Sequence, residues 1–263
     1  NSATNVLRNR IDQFGVVSPN IQVLQGKDGQ ILLELPGVKD HERVRDLLQR
    51  SANLEFYETY TVDQIGSALA NTAARLAADS AYNAAPLAAM LQNPGYGATV
   101  GYAPDARAMA AIDELLASNT AKNLLPSDLK LRWSIKPSTR TDANGQETNF
   151  GYALYALRSP GGKPALDGKA VSDASSDYDP LRGNEVSMRM NPEGARAWAR
   201  ITAANINRQV AIVLDDKVYS APNVNTAIEG GSSSITGDFS LEEAKDLANV
   251  LKSGKMDAKV HII

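Results

Sequence analysis

The sequence predicts an α+β fold: a discontinuous base subdomain, a small sheet with helices on it, carrying an inserted head of mixed sheet and helix. Three observations predict it. Residues 1–60 read as helix, strand, strand, helix, strand, a layer too thin to bury its own apolar faces. Residues 241–263 read as one more helix and strand, which would complete that layer. Between them lie an Ala-rich stretch and a strand-rich one, each with its own breaks. The expected boundaries are 1–60 and 238–263 for the base and 61–237 for the head. Within the head, 61–165 reads as an Ala-rich helical and hairpin insertion and 166–237 as the core.

Taken in order, Ala3, Leu7, Ile11 and Phe14 recur at helical spacing, and Gly15 stands where a helix C′ residue belongs. Strands are expected over 21–25 and 31–35, joined by the hairpin loop Gly26-Lys27-Asp28-Gly29. Pro36-Gly37 breaks the second. Asp40 suits the N-cap of a helix carrying Val44, Leu47 and Leu48 inward, and 54–60 reads as a strand. Helix formers fill 63–118, interrupted at Pro86, Pro94 and Pro104, the last suited to the first turn of a helix ending near Ser118. Residues 129–136 alternate as a half-buried strand paired with 149–158, with Asn144-Gly145 as a turn signal between them. After a Gly/Pro-rich loop over 159–168 comes a strand over 184–190. Asn191-Pro192-Glu193 then combines an N-cap, a proline at N1 and an acid in the first turn of a helix. That helix carries Trp198, Ile201, Thr202 and Asn205 along one stripe. Val210 to Leu214 is an apolar run that turns at Asp215-Asp216 and returns through Val218-Tyr219, a tight hairpin stopped by Pro222. Gly230-Gly231 reverses the chain again, and 235–237 reads as a short strand. Ser240 and Glu243 form a capping box for a helix apolar at Leu241, Ala244, Leu247, Ala248 and Leu251 and ending near Gly254. A strand over 259–263 would close the base, whose order of elements is of ferredoxin-like kin.

Composition bounds the function. Hydrophobic residues at 43% and charged ones at 22% describe an ordinary globular chain. A net charge of -3 argues against nucleic acid as a partner, since phosphate binding needs a concentrated basic face. No run of about 20 apolar residues is present to span a bilayer. The chain has neither an initiating Met nor a signal peptide and is expected to be an excised piece of a longer protein. Zero cysteines exclude disulfides, thiolate zinc sites and Cys nucleophiles.

Few residues suggest chemistry. Asp215-Asp216 reads first as hairpin turn residues, because adjacent positions point apart, and second as an acid/base or metal pair. Asp173, Asp177 and Asp179 resemble a loose calcium loop but lack the Gly and distal Glu of an EF-hand, so a solvated loop is expected. Gly95, Gly97 and Gly101 lack the dinucleotide spacing and read as a flexible loop. His41 and His261 have no triad context, and Trp198 reads as core. The helices within 63–118 would either cap the head sheet or expose shallow apolar grooves.

Several stretches carry a family resemblance: Asn191-Pro-Glu-Gly-Ala, Ile201-Thr-Ala-Ala-Asn, Val210-Ala-Ile-Val-Leu-Asp, Tyr219-Ser-Ala-Pro, Ile228-Glu-Gly-Gly, Ile235-Thr-Gly-Asp-Phe and Leu251-Lys-Ser-Gly. With Leu7-Arg-Asn-Arg-Ile, Leu33-Glu-Leu-Pro-Gly-Val and Ala52-Asn-Leu-Glu-Phe, they closely resemble the first large periplasmic domain of the SecD family, of the SecDF accessory complex of bacterial protein export. The resemblance covers about 1–60 and 165–260. It departs at Asn207-Arg208, where the family usually has Gly-Lys, and at Lys255-Met-Asp-Ala258, where it usually has Ala-Leu-Pro-Ala.

The resemblance implies a non-catalytic domain on the periplasmic side of the inner membrane, without cofactor or metal. It implies that the domain binds unfolded preprotein and works with SecF and the Sec channel. The full-length protein would be an integral membrane protein using the proton-motive force, with this stretch reaching the membrane only through segments elsewhere in that chain. A base–head hinge is expected at Tyr60, Thr61 and Val62 and at Gly237, Asp238 and Phe239, where the chain would pass between subdomains. Preprotein is expected at Tyr219, Pro222, Val224 and Ile228, by sheet-edge pairing or shallow apolar contact. The alternative from the residues alone is an extracytoplasmic metal-dependent hydrolase using Asp215 and Asp216 or the Asp173–Asp179 loop.

Overall fold

A computed structural model describes residues 2–13, 19–24, 30–49, 52–141, 145–181 and 183–253. In chain order the elements begin with α1 (Ser2–Gln13), β1 (Asn20–Val23), β2 (Ile31–Glu34), α2 (His41–Gln49) and β3 (Leu54–Glu58). There follow α3 (Val62–Ala77), α4 (Ala85–Gln92), β4 (Thr99–Ala103), α5 (Ala106–Ala117), α6 (Asn119–Leu124), β5 (Leu129–Thr141) and β6 (Glu147–Arg158). The remainder is β7 (Leu166–Asp167), β8 (Val171–Asp179), β9 (Gly183–Met190), α7 (Pro192–Ala204), β10 (Val210–Leu214), β11 (Lys217–Ser220), β12 (Ser232–Phe239) and α8 (Leu241–Ser253). The fold is mixed α+β, with two compact units: one of 1–54, 167–196 and 230–263, the other of 55–166 and 197–229.

In the first unit, Leu7 and Ile11 of α1 and Leu48 of α2 form a small core, closed by Ile21, Ile31 and Leu33 of the antiparallel β1–β2 pair. The Asp40 carboxylate caps α2, accepting the Arg43 N–H at 3.0 Å. A second sheet has the order β12-β9-β8, antiparallel throughout. Helix α8 packs on it and against α1. Its capping box forms as the sequence predicts: the Ser240 N–H donates to Glu243 Oε2 at 2.8 Å, and the Glu243 N–H donates to Ser240 Oγ at 3.1 Å. Ala244, Leu247, Ala248 and Val250 are buried, as are Val186, Met188 and Ile235 of the sheet. Arg43 ties α2 to α8 with a two-pronged bond to Asp246, both contacts at 2.8 Å.

The second unit is built on a sheet of order β4-β6-β5-β11-β10-β3-β7. All five residues of β10 are buried, which is why Val210 to Leu214 reads as an unbroken apolar run rather than an alternation. Helix α3 is apolar at Ile65, Leu69, Ala73 and Leu76, and its first turn is closed by the Thr61–Gln64 capping box. With Leu87 and Met90 of α4 and Ile112 and Leu115 of α5 it packs against Val100, Trp133 and Leu154. On α7, Trp198 meets the Phe56 ring at 5.0 Å and is 3% exposed, the core placement its stripe predicts.

The structure corrects several expectations. Residues 171–179 are not a loop: they form β8, an edge strand whose Ser and Asp side chains face water, so apolar alternation gives no signal. Gly101 lies in β4 rather than a flexible loop, and Gly97 is held at positive φ beside the Gln209 side chain. Asp105, not Pro104, starts α5, its carboxylate accepting the Ala108 N–H at 2.8 Å. Strand β3 belongs to the seven-stranded sheet rather than to the terminal layer. The compact units also follow different lines from the expected base and head: 167–196 and 230–237 group with the terminal stretches, because β8, β9 and β12 pair with one another beneath α8. The loop expected at Gly26–Gly29, the residues Phe14, Gly15, Asn144, Gly254 and His261, and the strand expected over 259–263 lie outside the described residues.

Candidate functional site

In the second unit, an open cleft of about 770 Å³ runs between α5, α6, β5 and the β10–β11 turn. Its floor is apolar and half-buried, from Leu116 on α5, Leu125 and Pro126 after α6, and Leu129 and Leu131 on β5. Leu116, one turn after Ile112, packs half-buried against the same core and leaves its outer side on the cleft. Trp133 closes the inner end, and its indole N–H donates to Asp113 Oδ1 at 2.8 Å. Around the rim, Arg132 Nη2 pairs with Asp216 Oδ1 at 2.8 Å. Lys122 and Lys217 also line the cleft, and among the described residues neither has an ion-pair partner.

Just beyond the same hairpin turn, Lys130 Nζ donates to Tyr57 Oη at 2.6 Å and lies 4.0 Å from Glu55. Burial, with the neighbouring Glu55 carboxylate second, pushes the Tyr57 phenol well above its ordinary value. Burial lowers Lys130, reinforced by the charge of Arg132. A lysine bonded to a buried phenol and set beside a carboxylate braces the strand ends.

The residues expected to take preprotein are largely engaged already. Tyr219 is half-buried on β11, an internal strand between β10 and β5. The Pro222 carbonyl accepts the Val210 N–H at 3.2 Å. Val224 is 7% exposed; its N–H donates to the Arg208 carbonyl at 2.9 Å and its carbonyl accepts from Asn207 at 2.8 Å. The Ile228 N–H donates to Thr202 Oγ1 at 2.9 Å. This segment therefore has little free backbone for strand addition, while the Pro222 ring is exposed.

The expected hinge residues sit inside the units. The Tyr60 N–H donates to the Ala156 carbonyl at 2.9 Å and its hydroxyl to Asp128 at 2.6 Å; Thr61 caps α3; the Val62 N–H donates to Gly97 at 2.7 Å. Gly237, Asp238 and Phe239 end β12, where Phe239 pairs with Asn184 of β9. The chain passes between units at 54/55, 166/167, 196/197 and 229/230. The sequence suggested two crossings because it treats contiguous stretches as units, whereas long-range strand pairing divides them.

The aspartates give no support to a hydrolase. Asp215 and Asp216 occupy the two-residue turn at φ 50° and 65°, and the Asp216 carboxylate is held by Arg132. On β8, Asp173, Asp177 and Asp179 are spread along an extended strand rather than wrapped in a loop around one point. Asp173 pairs with Lys252 at 3.5 Å. Among the described residues no group of three or more His, Asp or Glu side chains could hold a metal.

The sequence missed the cleft. Its signal was present in Leu129, Leu131 and Trp133, which alternate on one face, and in the doubled Leu115-Leu116, but the partners of that face come from α5 and α6 upstream and from the β10–β11 turn far downstream.

Comparison with known proteins then places the chain. The family described as "Protein translocase subunit SecDF, P1 domain, N-terminal" matches residues 1–61, and "SecDF, P1 head subdomain" matches 143–258. The Rhodothermus marinus protein translocase subunit SecD is 38% identical over 296 aligned residues, covering 100% of this chain and 45% of that protein. The chain thus spans less than half the length of this curated relative. A solved structure described as "Structure and function of a membrane component SecDF that enhances protein export" aligns over 100% of this chain and 92% of its own, at 28% identity and a TM-score of 0.55. Another, "Crystal structure of SecDF in Super-membrane-facing form", aligns over 98% of this chain and 26% of its own, at 29% identity and a TM-score of 0.57. No described helix here is long and apolar enough to cross a membrane. With the α+β fold, both family matches in chain order and the alignment of this whole chain to part of SecD in agreement, this chain belongs to the SecD/SecDF P1 domain family of protein translocase subunits.

Proposed function

We propose that this chain is the part of a translocase accessory subunit that holds polypeptide emerging on the periplasmic side of the bacterial inner membrane, without performing bond chemistry. It would act beside SecF and the Sec channel, with the proton-motive force coupled through membrane segments elsewhere in the subunit. The observation that carries this reading is the open, apolar-floored cleft of the second unit, in a chain whose relatives are translocase subunits. An unfolded client offers side chains and backbone but no fixed shape, so a shallow groove with few orienting groups suits it better than a closed pocket. Tyr219 and Pro222 would add side-chain contacts, and Val224 and Ile228 would brace the segment from within.

Movement of the units relative to one another is part of the proposal, with bending assigned to the four crossings rather than to Tyr60–Val62 or Gly237–Phe239. Photo-crosslinkers placed at Leu116, Leu129 and Tyr219 of the intact subunit should form adducts with an exported chain arrested in transit. No adduct from any of these positions would sink the holding role. A cysteine bridge between the units that left export unimpaired would remove the movement.

A further inference from the structure

The inference concerns the kind of segment the cleft accepts, and it rests on the client-holding reading above. Of the cleft's lining, only Asp216 and Lys217 fall within the family-matched residues 143–258, and none falls within 1–61. The selectivity of this groove therefore belongs to the stretch between the two family matches. We propose that the cleft takes an extended polypeptide segment in which an apolar side chain is followed within one or two residues by an acidic one.

The floor supplies the first half of that preference. Leu116, Leu129 and Leu131 are half-buried and face open space, and the volume of about 770 Å³ holds a few side chains rather than a folded element. Seating a leucine there removes apolar surface from water on both partners. Backbone is within reach too. Strand β11 meets β5 at Val218–Ser134, so Leu129 to Leu131 have β6 as their one partner strand. On β5 the Leu131 carbonyl takes only the Arg132 guanidinium, at 2.9 Å, a contact that a client amide could replace.

The rim supplies the second half. Asp216 is paired with Arg132 at 2.8 Å, and Asp113, although exposed, has one carboxylate oxygen held by the Trp133 indole. The lysines Lys122 and Lys217 remain, on α6 and at the start of β11, as ammonium groups with no ion-pair partner among the described residues. With three basic and two acidic side chains the lining keeps one net positive charge, on a chain whose net charge is -3, so an acidic residue beside the seated apolar one meets attraction here. A basic residue at that place would face two like charges.

The test uses the 263-residue chain and three fluorescein-labelled unfolded peptides, identical except that the residue after a central leucine is Asp, Ser or Lys. Anisotropy titration at low salt should rank them Asp over Ser over Lys. Two exposed pairs correspond to about a fivefold separation between the extremes. The double substitution Lys122→Glu with Lys217→Glu should invert the order, and Ala117→Trp should weaken all three peptides by filling the cleft. Circular dichroism confirms that each variant is folded. Equal binding of the three peptides, an order that survives the double charge reversal, or binding untouched by Ala117→Trp overturns the cleft assignment while leaving client holding intact. No binding of any peptide overturns both.

Discussion

Replacing Gly151 by alanine tests how far the pairing of β4 with β6 depends on an absent side chain. Gly151 sits at φ 85°, and a Cβ built there would lie 2.1 Å from the Ala103 carbonyl oxygen and 2.7 Å from its carbon. The contacts are backbone, so no rotamer change relieves them; β4 must move by about an ångström, at about 1–3 kcal/mol. The left-handed φ adds about 1–2 kcal/mol for any residue with a Cβ. Gly161 is the internal control, with φ 62° and nothing within 4 Å of its virtual Cβ. Gly161→Ala should therefore show the dihedral cost alone. Both tryptophans, Trp133 and Trp198, lie buried in the second unit, so tryptophan fluorescence reports unfolding of the unit that holds both glycines. With a urea slope of about 2 kcal/mol/M, Gly161→Ala should lower the midpoint by about 0.5 M and Gly151→Ala by about 1.5 M or more. Equal shifts for the two variants would falsify the argument, because contact with β4 would then contribute nothing.

Further outcomes follow from the same structure. Asp113→Ala strands the buried Trp133 indole N–H and should cost about 1–3 kcal/mol, with a shifted emission maximum and a smaller loss in Asp113→Asn. Arg43→Lys loses the two-pronged hold on Asp246 and should cost about 0.5–1 kcal/mol by thermal melting, an effect that shrinks in high salt. The raised Tyr57 phenol contributes stability that is present in full below pH 10.0 and is lost as pH rises from there through the folded-state value. Lys130, lowered by burial, runs the other way: its cost at neutral pH fades as pH climbs toward 10.5. Above pH 10.0 the melting temperature of Tyr57→Phe should thus fall less steeply than that of the parent; parallel curves would discard the assignment. Excess calcium or zinc should leave the melting temperature unchanged, and a rise of several degrees would revive a metal site on β8 or at the β10–β11 turn.

Local chemistry was largely legible in advance. The Asp40 cap, the Ser240–Glu243 box, the Asn191 N-cap and the Asp215-Asp216 turn each involve groups a few residues apart, so propensity and spacing suffice. Strands β4 and β8 were not legible, one being five residues with a glycine at its centre and the other a polar edge with no apolar alternation. The cleft failed for a third reason: α5, β5 and the β10–β11 turn each supply a piece of it, and no piece is distinctive alone.

The sequence by itself determined the α+β class, most of the helices, the turns and the family, because these depend on periodicity, capping chemistry and motif order within short windows. The tertiary structure alone decided that β3 joins the seven-stranded sheet, that β8, β9 and β12 form a separate sheet under α8, and that 129–133 faces α5 across an open groove. Pairing partners are chosen by the summed burial of whole faces across large sequence separations, a quantity that no single stretch of residues encodes.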